Sequence, residues 1–165
     1  GGYTHGTRAE IPTVATHDGM VSKHGNRTFT IHSSNDAHSK TDIMIEVDNG
    51  VLFTGDNVLN QRVARMDDGT FTGNIKAIDR ALALPAIKVV VPGHGKVGGT
   101  AILKAQRDFF QTLFNTVKAE YDAGKSDFEM KPAVVKKLAA FKKWHGFDSA
   151  LGKQISLAVL EIEQE

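Results

Sequence analysis

The chain has 165 residues, 41% of them hydrophobic and 24% charged, with a formal net charge of +1; this is the balance of one globular domain long enough to bury a core. Near-neutral charge argues against a broad nucleic-acid surface, and no apolar run approaches the ~20 residues of a membrane helix. There is no cysteine, which excludes disulfides, thiolate nucleophiles and thiolate zinc sites.

In chain order, Ile11 to Thr16 is a short β-rich run. Arg27 to His32 alternates, with Phe29 and Ile31 on one face, and Asp42 to Asp48 does the same with Ile43, Ile45 and Val47. Asn49-Gly50 then predicts a two-residue type I′ hairpin, and Val51 to Thr54 returns. Arg62 to Gly73 reads as a polar loop. Asn74 to Leu84 reads as a helix with Asn74 as N-cap, ended by Pro85. Ile87 to Val91 is apolar apart from Lys88, and is read as a strand buried on both faces.

From Thr100 the period becomes helical. Ile102, Phe109, Leu113, Phe114, Val117 and Tyr121 form one stripe, closed by Gly124. Pro132 suits the first turn of a second helix reaching about Lys143, and its lysines are the solvated face of that helix. Leu151, Ile155, Val159 and Ile162 mark a last helix after a break at Trp144 to Phe147. The division expected is a mixed α/β part over residues 1–100 and a helical extension over 101–165 packed on the same domain.

Three segments carry the chemistry: Ala37-His38-Ser39-Lys40-Thr41-Asp42, Thr54-Gly55-Asp56-Asn57 and Val91-Pro92-Gly93-His94-Gly95. Each places a His or Asp on a loop at the edge of a strand, where loops converge on one rim. Imidazole and carboxylate are good ligands for zinc, iron or manganese. His17, His24, His32 and His145 read as structural or surface residues.

The order of these segments resembles the second half of a metallo-β-lactamase-superfamily domain: a strand, a His-Ser loop with an Asp four residues on, a hairpin ending Thr-Gly-Asp, a helix, and a strand ending Pro-Gly-His-Gly. The resemblance covers most of residues 1–100. It implies an αββα sandwich, of which this is the second half, followed by C-terminal helices. It also implies that His38 is a ligand of a first metal, that Asp56 bridges two metals and is catalytic, and that His94 is a ligand of the second. Asp42, Ser39 and Asn57 would support these ligands by hydrogen bonding. Lys40 and Thr41 depart from the family pattern, which often has Gly just before the Asp.

The family's His-x-His-x-Asp-His motif is not in this sequence, and His5, His17, His24 and His32 do not rebuild it. In the family that motif is commonly followed closely by Gly-Gly, so Gly1-Gly2 suggests that the chain begins just after it. The expected protein is then a metal-dependent hydrolase with one or two zinc ions, iron or manganese being alternatives. A metal-bound hydroxide would attack an ester, thioester, lactone or related bond of a small-molecule substrate. The chain as it stands is expected to be inactive, and to self-associate or pair with the missing N-terminal half. No nucleic-acid or membrane partner is expected. Two other readings remain open: a non-catalytic binding or assembly module of the same fold, and an iron-dependent redox relative.

Overall fold

The computed structural model describes residues 11–164; Gly1-Gly2 and His5 lie outside them. Five strands form one sheet in chain order: β1 (Val21–His24), β2 (Arg27–Asn35), β3 (Thr41–Val47), β4 (Val51–Phe53) and β5 (Val89–Val91). β1 to β4 are an antiparallel meander, and β5 joins β4 in parallel. The parallel pairing needs a crossover, which α1 (Phe71–Leu82) supplies. Three helices follow: α2 (Ala101–Asp122), α3 (Asp127–Lys137) and α4 (Phe147–Ile162).

The α/β expectation holds, and several local details differ. Ile11 to Thr16 is not a strand; Ile11 and Val14 are 84% and 66% exposed and have no sheet to pack on. β1, unmarked by hydrophobic alternation, forms by pairing with β2 from Val21↔Thr30 to His24↔Arg27. The β3–β4 connection is not type I′. Val47 pairs with Val51 across a three-residue loop, Gly50 has φ +86° while Asn49 is not left-handed, and Gly50 N–H donates to Val47 O at 2.9 Å. That is a turn closed by a left-handed glycine.

The α1 helix starts earlier than its apolar period suggests. Thr70 is the N-cap and accepts from Gly73 N–H at 3.0 Å, while Asn74 lies inside the helix and is fully buried. Likewise α3 begins before Pro132, because Ser126 and Glu129 close a capping box.

The core lies between the sheet and the helices. Met44, Leu52 and Val90 point from one sheet face into a cluster that includes Ala77, Ile78 and Ala81 of α1 and Phe109, Phe110 and Leu113 of α2. The other face carries rows of apolar partners: Ile31, Ile45, Phe53 and Val91, and beside them Phe29, Val47, Val51 and Val89. None of these joins the main cluster, and Ile43, Phe53 and Val89 are exposed. β5 is therefore covered on one face only, contrary to its unbroken hydrophobicity.

Candidate metal centre

The three chemical segments converge. The His38 loop leaves the end of β2, the Asp56 turn leaves β4, and the His94 loop leaves β5. β4 and β5 are adjacent and parallel, so their C-terminal ends open on the same rim.

Two residues at the strand ends bring the Asp56 and His94 loops into contact. Thr54 is fully buried, and its hydroxyl lies 3.1 Å from Gly55 O, 3.3 Å from Val58 O and 3.4 Å from Val91 O. Gly93 N–H donates to Gly55 O at 2.9 Å. A Cβ on Gly93 would lie 2.1 Å from Asp56 Oδ1, so only glycine permits this approach. Beyond it, Asn60 N–H donates to His94 O at 2.9 Å and the Asn60 side-chain amide to Lys96 O at 2.8 Å.

The His38 loop is held from both sides. Asp42 accepts from Ser39 N–H at 2.7 Å and from the Ser39 hydroxyl at 3.0 Å, closing the loop at the start of β3. Asn57 Oδ1 accepts from His38 N–H at 3.3 Å and ties this loop to the Asp56 turn. These contacts shape the backbone that carries His38; the imidazole is not their partner.

At the centre, one carboxylate stands between two imidazoles. Asp56 Oδ2 lies 3.8 Å from His38 Nε2, and Asp56 Oδ1 lies 3.6 Å from His94 Nε2. Both separations are too long for hydrogen bonds. Two donors on one tetrahedral zinc, each ~2.0–2.1 Å from it, stand about 3.3 Å apart. The spacing between each imidazole and the carboxylate is therefore close to that of co-ligands. His38 Nδ1 is buried and without a hydrogen-bond partner among the described residues. Among the described residues no three His, Asp or Glu side chains form a group able to hold a metal ion by themselves. The donors fit as two pairs sharing Asp56, a partial site that needs further ligands.

The centre opens into a cavity of about 380 Å³, lined by His38, Asp56, Leu59, Arg62, Asp67 and His94 among others. The wall from Arg62 to Asp68 comes from the polar loop, of which the sequence indicated only the general position. Asp67 holds its carboxyl below the usual range, because Lys153 and then Arg65 hydrogen-bond to it. Lys153 belongs to α4, a contact that no local sequence signal announces. The backbone of His145 bridges to the wall at Arg62.

No family model and no curated protein matches the chain. Among solved structures it is similar to a metallo-beta-lactamase from Pontibacter korlensis, at 21% identity and a TM-score of 0.57, over 62% of this chain and 50% of that one. The chain has a metallo-β-lactamase fold. A metallo-beta-lactamase from Hirschia baltica is also similar, at 26% identity and a TM-score of 0.45, over 56% of this chain and 43% of that one. The chain thus spans about half the length of the metallo-β-lactamases it matches.

Proposed function

We propose that this chain supplies the second half of a two-metal hydrolase centre, with His38 holding one metal, His94 the other and Asp56 bridging them. The observation that carries this reading is the Asp56 carboxylate placed between His38 Nε2 and His94 Nε2 at 3.8 and 3.6 Å. When bound, zinc supplies Lewis acidity and makes a water acidic enough to act as a nucleophile near neutral pH. The chain's own residues hold and shape the site: Asn57 ties the two ligand loops together, and Asp42 and Ser39 fix the turn after His38. Leu59 and Val63 give the cavity an apolar side, while Arg62 gives it a cationic one. The substrate class this suits is a small ester, thioester or lactone, and hydrolysis awaits the ligands that this sequence does not contain.

The test is metal content by elemental analysis, on this chain and on His38→Ala and His94→Ala. Zinc that falls in both variants supports the reading. Iron in place of zinc favours a redox relative. Since two-donor pairs bind weakly, the chain is also equilibrated with excess zinc, and no uptake under that condition overturns the proposal.

A second reading is favoured by the apolar sheet face, which carries exposed Ile43, Phe53 and Val89. In it the chain is an assembly module, which buries that face against a second copy or against the other half of a metallo-β-lactamase-like domain. Sedimentation analysis of the purified chain tests this: a monomer at high micromolar concentration rules out self-association.

A further inference from the structure

The cavity wall lies along the C-terminal helix, and its contacts advance in step with the sequence. At the near end, His145 N–H donates to Gln61 O at 2.9 Å and Val63 N–H to His145 O at 3.0 Å. In the middle, the Gln154 side-chain amide donates to Ala64 O at 3.0 Å, and Lys153 pairs with Asp67. At the far end, the Glu161 carboxylate accepts from Phe71 N–H at 2.6 Å, Thr72 N–H at 2.9 Å and the Thr72 hydroxyl at 2.6 Å. Glu161 thereby satisfies first-turn N–H groups of α1, where the helix dipole also favours a negative charge.

From that point the chain runs without slack to the candidate centre. Thr70 N–H donates to Asp36 O and Ala37 O at 3.0 Å each, and its hydroxyl donates to Asp36 O at 2.5 Å. A Cβ on Gly69 would lie 1.9 Å from Ala37 O and 2.6 Å from His38 O. Gly69 and Thr70, which lead into Phe71 and Thr72, thus bear directly on the backbone of residues 36–38.

We infer that Glu161 is a positioning residue for His38, acting through Thr72, Thr70 and the Ala37 carbonyl, so that α4 is part of the metal centre. This rests on the reading of His38 as a ligand. It ties the C-terminal extension to the chemistry, a link the sequence does not display.

The experiment compares Glu161→Ala and Glu161→Gln with Ser156→Ala. The Ser156 hydroxyl ties α4 to Asp127 at 2.5 Å and hydrogen-bonds to neither the wall nor the His38 loop, so it controls for lost stability. Two readouts are taken: cobalt(II) affinity by titration, and the His38 imidazole resonances by NMR. Glu161→Ala is expected to weaken cobalt binding about tenfold or more and to move the His38 resonances. Glu161→Gln keeps one of the two acceptor oxygens, without the charge, and should give a smaller, severalfold loss. Ser156→Ala should leave both readouts at parent values.

Parent-like affinity and resonances in Glu161→Ala would overturn the inference; should that variant not fold, parent-like values in Glu161→Gln would do so. If the parent chain binds no cobalt, the metal reading fails by itself and the resonances decide the positioning role. A His38 shift without metal then supports it, and no shift rejects it.

Discussion

Gly93 stands where the Asp56 carboxylate passes, so close that a Cβ would lie 2.1 Å from Asp56 Oδ1 and 2.7 Å from Gly55 O. Gly93→Ala should push Asp56 out from between the imidazoles while leaving the sheet intact. We expect zinc binding to fall at least tenfold, of the order seen when metal-supporting residues are lost, with far-UV circular dichroism unchanged. Parent-like zinc affinity would mean that Asp56 is free to move aside.

Thr54 joins the same two loops from beneath. Its buried hydroxyl has one proton and three carbonyls within reach, those of Gly55, Val58 and Val91. Thr54→Val keeps the shape and removes the donor, leaving buried carbonyls less well satisfied. The expected cost is about 1–3 kcal/mol of stability, read from urea unfolding. An unchanged midpoint would show that the hydroxyl does not fasten the loops.

Asp67 links the cavity wall to acid stability. Its carboxyl is more acidic folded than unfolded because Lys153 and Arg65 hydrogen-bond to it. Stability from such a group is fully present above the unfolded value of about 3.9 and is lost as pH falls through the lower folded one. Asp67→Asn should therefore destabilise the chain at neutral pH, and this difference should shrink below about pH 4. Thermal unfolding across that range checks it; a difference independent of pH would assign the effect to packing.

The open sheet face predicts association. Ile43 and Val89 are 41% and 37% exposed on that face. Ile43→Lys and Val89→Lys should lower any self-association seen by sedimentation, with stability changed by no more than about 0.5 kcal/mol, as for surface substitutions. Large destabilisation would instead show that the face is packed within the chain.

The candidate site was legible where chemistry and backbone demand coincide. The Thr-Gly-Asp and Pro-Gly-His-Gly segments show both a ligand type and the glycines that let two loops touch. His38, Asp56 and His94 were thus visible as residues, and the tertiary structure brings them round one carboxylate. Glu161 was invisible because its partners lie 89 and 90 positions away in the chain. Thr70 is not marked as the helix start in the sequence, because the apolar period of α1 begins later than its hydrogen bonding.

From β2 onward the sequence by itself determined the alternation of strands and helices, since side-chain periodicity is a local property that each segment carries alone. It also marked the loops that carry His38, Asp56 and His94, the side chains proposed as ligands. Only the tertiary structure decided that β5 is covered on one face, because an unbroken run of valines looks the same whether one sheet face is packed or both. Only it decided that α4 bears the cavity wall, because a hydrogen bond between segments ninety residues apart leaves no pattern in either.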